Sequence, residues 1–281
     1  MNIKIGNDKK RPVKCLFVGL CTKDIVYYTN EYPMHNHKSK TEEFATYISG
    51  PAANAAITYA TLGGDATLAT CLGNSAESLS VIEELTGYGV QELNYSEYDT
   101  LPNIASVFVA DDGRRTIVSG QHPFLVNREF DLEDYDFALF DCNQQEISLD
   151  ILQKMNGRTV ILDAGSFKPN INIFLQKADI VISSEDFMDE KGNDIFAMGC
   201  MALHKVVTRG ERPILYNGKE IPVERVDAVD TLGAGDIFHG AFCYAYCEKN
   251  ETCEDALRFA AKIAGESVRY RGPREWTRHW R

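Results

Sequence analysis

Short apolar runs that stop at a glycine or a polar residue alternate with helical stretches along most of this chain, and that alternation leaves few folds open. Residues 15–20, Cys-Leu-Phe-Val-Gly-Leu, read as a buried strand handing the chain to a loop that contains Asp24. Residues 52–62 are rich in alanine, with Ala53, Ile57 and Ala60 at helical spacing, and Gly63-Gly64 closes that helix. The pattern continues as a strand at 67–71, a helix at 76–85, a strand at 137–140, a helix at 149–155, a strand at 159–162, a helix at 171–177 and strands at 180–183 and 206–208. Helices at 237–248 and 253–264 follow, the second opening on a capping-box-like Thr252 and Asp255. Repeated strand–helix units need a mostly parallel sheet covered on both faces, which predicts an α/β fold, a three-layer α/β/α sandwich. Sites in such folds gather where the strands end, so Asp24, Asp163 and Thr208 share one edge.

Two hairpins interrupt the alternation. Residues 105–110 and 116–119 flank Asp111-Asp112-Gly113-Arg114-Arg115, and residues 214–216 and 219–222 flank Asn217-Gly218. The stretch 32–47 is polar and irregular, so it is a surface excursion or a lid. One domain over residues 12–272 is expected, with lid segments at about 29–48 and 101–120 and a C-terminal tail at 273–281. An exposed sheet edge at the lid would need covering.

Composition removes several partners. The 281 residues hold 29 Lys and Arg against 41 Asp and Glu, a net charge of −12, which argues against a nucleic-acid surface. The arginine-rich end from Arg269, with Trp276 and Trp280, reads as a tail pinned onto an acidic body. The eight cysteines lie mostly in apolar runs with neither disulfide-scaffold nor zinc spacing. Cys243 and Cys247 are four apart on a helix without histidine partners, so no metal residues are assigned. No window of twenty apolar residues exists, so no membrane partner is expected. The polar, basic start lacks an apolar core, and a cytoplasmic protein is the expectation.

The most informative string is Asp230-Thr231-Leu232-Gly233-Ala234-Gly235-Asp236, immediately before a helix. Small residues there expose the backbone, and the amides of residues 233–236 would form a nest for an oxyanion or a phosphoryl group. Asp236 would repel a simple phosphate, so it is either a helix cap or a base that takes a proton from an attacking hydroxyl. The loop is neither a Walker A sequence nor a dinucleotide fingerprint.

Together these strings resemble the PfkB (ribokinase-like) carbohydrate kinases. The family's D-T-x-G-A-G-D signature is matched in full by residues 230–236, and Phe238, Gly240 and Phe242 continue it. Ser49-Gly50-Pro51-Ala52-Ala53-Asn54 falls where the family has Gly-Gly-x-x-x-Asn, and Leu62-Gly63-Gly64 follows as expected. The closest branch resembled is ketohexokinase, through residues 18–20, Tyr32-Pro33, Arg115-Thr116-Ile117, residues 229–233 and Ala256-Leu257-Arg258-Phe259. The resemblance implies a ribokinase-like sandwich with a small β lid, a homodimer through that lid, and an enzyme that moves the γ-phosphoryl group of ATP, with Mg²⁺, to a primary hydroxyl of a ketohexose such as fructose. A nucleoside or sugar-acid kinase is the alternative, and a catalytically silent binding protein is a third.

It further implies Asp236 as base with an anion hole of Gly233, Ala234 and Gly235. Asp24, Gly50, Asn54, Arg115 and Asn143 would meet substrate, with Arg114 the fallback for Arg115. Thr208, Gly210, Asp230, Gly233 and Gly235 would line the nucleotide site, Asp230 bracing the loop or the magnesium waters. Asp163 would touch the site or cap its loop, and His239 would face packing or nucleotide. Three positions depart from the pattern. Pro51 stands where ketohexokinases have a sugar-binding asparagine, and it offers no side-chain hydrogen bond. Ser184 and Phe187 occupy the places of an Asn-x-x-Glu whose glutamate organises magnesium water, leaving Glu185 and Asp186 as substitutes. The loop Gly73-Asn74-Ser75-Ala76-Glu77 is shortened.

Overall fold

The structure is a computed structural model that describes residues 13–30, 32–41, 43–110, 114–120 and 123–280. Its first strand, β1 (Lys14–Val18), lies between β4 (Asp65–Thr70) and β8 (Phe137–Phe140), parallel to both. Beyond β4 comes β5 (Val90–Asn94); beyond β8 come β9 (Thr159–Ala164), β10 (Ile180–Ser184) and β11 (His204–Arg209), all in parallel. The hairpin β12 (Arg212–Tyr216) and β13 (Lys219–Ile221) closes that end in antiparallel pairing, completing a nine-stranded sheet.

The apolar runs are continuous because both faces of the sheet are covered. Alternate residues of β1 serve different cores, as the two-residue period of a strand requires. Phe17 packs with α1 (Pro51–Thr61), α5 (Ala234–Cys243) and α6 (Cys253–Ser267), whereas Leu16 and Val18 pack with α3 (Gln145–Lys154) and α4 (Ile171–Leu175). The helix α2 (Ala76–Gly87) adds Val81 and Leu85 to the first cluster. The expected three-layer α/β/α sandwich is the observed fold.

The lid is a separate four-stranded sheet, ordered β3 (Phe44–Ser49), β2 (Thr22–Thr29), β6 (Asn103–Ala110), β7 (Arg115–Ser119). The hairpin of β6 and β7 is antiparallel as expected, although its turn at 111–113 lies outside the described residues. Two expectations need correcting. Asp24 is on β2 rather than in a loop, and residues 44–47 belong to β3 rather than to an irregular excursion. Both strands bury only one face, Val26 meeting Val107, Val109 and Leu232, so their polar alternation disguised them.

The helix expected at 237–248 is α5 followed by a π-helical turn at Tyr244–Glu248. Residues set apart as a tail lie in the body: Arg274 is 6% exposed and Trp276 1%.

Candidate active site

Asp141 organises the edge where β1 and β8 end. Its carboxylate accepts from the amides of Leu20 (2.8 Å), Ala52 (3.1 Å) and Asn143 (2.8 Å), so one buried side chain ties two strand exits to the start of α1. Any Cβ at Gly19 would lie 2.0 Å from its Oδ1, so glycine is required there. At the start of α1, Gly50 has φ +97° and a Cβ would meet the Leu20 carbonyl at 2.4 Å. Pro51 is the first residue of that helix, where its missing amide costs nothing.

The small-residue string forms the N-terminus of α5. Gly233 takes φ 75° as the cap, and a Cβ there would press on Pro273 at 3.1 Å. Gly235 faces open space. The amide of Ala234 turns back to the Thr231 carbonyl (3.2 Å), so the four amides of 233–236 do not all point at a ligand. Asp230 braces the loop: Oδ1 accepts from the Leu232 amide (2.9 Å), and Oδ2 from the Gly272 amide (2.9 Å) and the Tyr28 hydroxyl (3.3 Å).

Asp236 sits in the first turn of α5, half-buried. Its Oδ2 accepts a 2.6 Å hydrogen bond from Asn54 Nδ2. Burial, then the charge of Asp163, pushes its carboxyl from 3.8 to about 6; Asp141 adds to this, while Asn54 and His239 oppose it. A carboxyl poised there exchanges protons near neutral pH, which is what a general base needs. Asn54 is itself committed, since its Oδ1 accepts from Arg274 at 2.5 Å. It therefore links Asp236 to Arg274. Arg274 carried no signal as a site residue, because an arginine-rich chain end reads as surface.

Asp24 accepts from the Thr22 hydroxyl (2.6 Å) and is raised by burial, with Thr22, Ser49 and Arg274 pulling it back. Arg115 reaches from β7 to the Thr231 hydroxyl at 3.0 Å, which joins the lid to the glycine loop. Arg114 instead lies over the Tyr32 ring, 5.7 Å from its centroid.

A cavity of about 480 Å³ opens beside this loop, lined by Arg115, Thr208, Gly210, Thr231, Gly235 and Phe238 and floored by Ala261, Ala264 and Gly265 of α6. The Thr208 hydroxyl is already bonded to the Ser183 carbonyl (3.2 Å). Asn143 lies elsewhere, in a recess of about 160 Å³ with Leu20, Asn103, Phe124 and Gln144. His239 is buried between the Ile182 carbonyl (3.4 Å) and Asp163 (3.5 Å), so it faces packing. Asp163 also caps its own loop through the Gly165 amide (2.8 Å).

Of the two possible magnesium substitutes, Glu185 pairs with Arg212 and Asp186 is exposed; Phe187, at the place of the family's glutamate, is buried. Among the described residues no three His, Cys, Asp or Glu side chains form a group that could hold a metal ion. The shortened loop at Gly73 is closed from within, by Asn94 on the Leu72 amide (3.0 Å) and on the Gly73 carbonyl (2.8 Å).

An α/β sandwich with a β lid, a glycine-rich helix start and a carboxylate on that helix suit a small-molecule phosphotransferase. The profile of the pfkB family carbohydrate kinases matches residues 13–279, and the chain belongs to that family of ATP-dependent phosphotransferases. A deoxyribokinase of Salmonella typhi is 24% identical over 91% of this chain and 92% of that protein. A ketohexokinase of Mus musculus is 22% identical over 92% and 96%. The ketohexokinase branch is thus not singled out. The crystal structure of a ribokinase from Thermotoga maritima superposes with a TM-score of 0.79 at 23% identity, covering 95% of this chain and 98% of that one.

Proposed function

We propose that this chain transfers the γ-phosphoryl group of Mg·ATP to a primary hydroxyl of a monosaccharide, with Asp236 as general base. The observation that carries this is the half-buried Asp236, raised to about 6 and held by Asn54, at the start of a helix whose Gly235 faces open space. The hydroxyl gives its proton to Asp236 as its oxygen attacks phosphorus. The N-terminal end of α5 and the Arg115 guanidinium then stabilise charge on the transferring group. Asp24 is the acceptor for sugar hydroxyls at the lid. The nucleotide enters the cavity between Thr208–Gly210 and α6, whose volume of about 480 Å³ suits a nucleoside. Magnesium comes bound to the phosphates as part of that substrate, because the described residues offer it no cage.

A ketohexose is supported by Arg115 and residues 229–233, and a pentose by the likeness to a deoxyribokinase. The recess beside Asn143 favours a second reading, a nucleoside kinase, since Phe124 and Val126 give it an apolar wall. Two copies would pair through the outer face of the lid, where Phe44, Tyr27, Phe108 and Val118 stand on one side of the sheet and Val118 is 63% exposed. All eight cysteines are unpaired and buried, which suits a reducing compartment such as the cytoplasm.

The test is ADP release from Mg·ATP with fructose, ribose, deoxyribose, a sugar acid and inosine, with Asp236→Asn alongside. Turnover of one monosaccharide, lost in the variant, supports the reading; inosine alone selects the nucleoside reading. Full activity of Asp236→Asn sinks the base assignment.

A further inference from the structure

Arg274 is buried, yet its hydrogen bonds go to oxygens that carry no formal charge. One terminal nitrogen donates to both the Ile48 carbonyl (2.6 Å) and Asn54 Oδ1 (2.5 Å); the other donates to the Pro273 carbonyl (3.1 Å). Its guanidinium lies over the Tyr88 ring, 5.8 Å from the centroid. A buried cation needs opposing charge nearby. Glu84 and Asp236 supply it through space, and Asp24 feels it in turn.

A guanidinium can only donate, so Asn54 must turn its carboxamide oxygen towards Arg274. The amide nitrogen is then forced to the opposite side, where it meets Asp236 Oδ2 at 2.6 Å and Ser49 Oγ at 3.4 Å. Without that constraint the carboxamide is free to flip and offer its oxygen to the carboxylate, which repels it. The Asn54 N–H binds a carboxylate more strongly than a protonated acid, so it favours ionised Asp236 and leaves Oδ1 to receive the substrate proton. The same arginine nitrogen grips Ile48, two residues before Gly50 at the root of the lid.

We propose that Arg274 is a positioning residue for phosphoryl transfer: it fixes the Asn54 carboxamide in the one orientation that donates to Asp236, and so keeps the base ionised and aimed. This rests on Asp236 being the base. The other titratable groups facing Asp236 are Asp163 of β9, Asp141 after β8 and His239 of α5, and all three remain in the variants below.

The variants are Arg274→Met, Arg274→Lys, Asn54→Ala and Arg274→Met/Asn54→Ala, with folding checked by circular dichroism and ADP affinity. The acidic limb of kcat/KM, expected near pH 6 in the parent, should move up by about one unit in Arg274→Met. That shift lowers kcat/KM about fivefold at pH 6 through protonation alone and vanishes by about pH 8.5, leaving only the loss of aim. Arg274→Lys keeps the charge but not the shared grip, and should fall between. The double variant should lose less than the product of the two single losses, because Arg274 acts mainly through Asn54 and only its through-space charge on Asp236 is independent of that side chain. If the methionine variant does not fold, Arg274→Lys decides by its limb. A parental limb and kcat/KM in the folded variant, or additive losses in the double variant, overturn the inference. Asp236→Asn separates the two ideas: if it is inactive while the Arg274 variants behave as the parent, only the positioning role falls; if it is active, the base reading falls first.

Discussion

Replacing Gly240 by alanine should damage stability and catalysis together, for one geometric reason. Gly240 lies one turn beyond Asp236 on α5 and faces α1 next to Asn54. A Cβ there would sit 2.3 Å from the Ala55 carbonyl oxygen, 3.0 Å from its carbonyl carbon and 2.7 Å from Thr58 Cβ. Two of those atoms are backbone, and Thr58 is buried with its hydroxyl bonded to the Asn54 carbonyl (2.8 Å), so none can swing aside. Relieving the contact requires the helices to part by roughly 1 Å, since non-bonded heavy atoms settle near 3.5 Å. Alanine recovers about 1 kcal/mol of helix propensity, against an overpacking cost of up to about 3 kcal/mol. The expected net loss is about 2 kcal/mol, read by urea denaturation at unchanged slope. The same displacement stretches the 2.6 Å Asn54–Asp236 bond beyond the range of a hydrogen bond. A shift of that size costs about 100-fold in kcat. Gly87→Ala is the control: nothing lies within 4 Å of its Cβ position at the end of α2, so activity should be unchanged. A Gly240→Ala protein as stable and as fast as the parent would refute the idea that this helix contact sets the base.

Other outcomes follow from the same geometry. Asp236→Asn should lower kcat by about 10²–10⁴-fold, the usual contribution of a general base. It should also stabilise the fold: the native carboxyl is raised from 3.8 to about 6, so ionising it costs stability that grows across that interval and persists above it. The variant should therefore be more stable by about 1–2 kcal/mol at pH 8 and equal to the parent below pH 4, by urea titration at both pH values. Equal stability at pH 8 would contradict the strained carboxylate. Arg115→Ala removes the 3.0 Å bond from the lid to Thr231; kcat/KM should fall about tenfold with an unchanged melting temperature, because the side chain is exposed. Val118→Glu should convert a dimer to a monomer in light scattering; a monomeric parent would end the pairing proposal.

What could be read from the sequence was what is local or buried on all sides. The core strands announced themselves because Cys15–Val18 and Ile180–Ile182 have neighbours on both faces and so carry no polar residue that would blur the run. The glycine loop was legible because its chemistry lies within seven consecutive residues, 230–236. The lid strand β2 was missed because Thr22, Lys23 and Asp24 resemble a loop unless the facing strands are known. Strand β5 was missed for a related reason, its Gln91 and Glu92 lying at the sheet edge. Arg274 lay beyond any local pattern, since its partner Asn54 is 220 residues away in sequence.

That long-range link explains how a carboxylate works at a place suited to anions. The start of α5 attracts negative charge, which favours both ionised Asp236 and an incoming phosphate, and the two would compete. Burial with Asp163 and Asp141 works against the ionised form, while the Asn54 amide and His239 work for it. The opposing influences leave the carboxyl near 6, ionised at neutral pH yet basic enough to take a proton as the hydroxyl attacks. Removing either side spoils the compromise: without the acidic neighbours the carboxylate is less basic, and without Asn54 its ionised form is less favoured. In the proposed mechanism the glycine loop provides room for the phosphoryl group, while the acidity of Asp236 is set by Asn54 of α1, Asp163 of β9, Asp141 and His239.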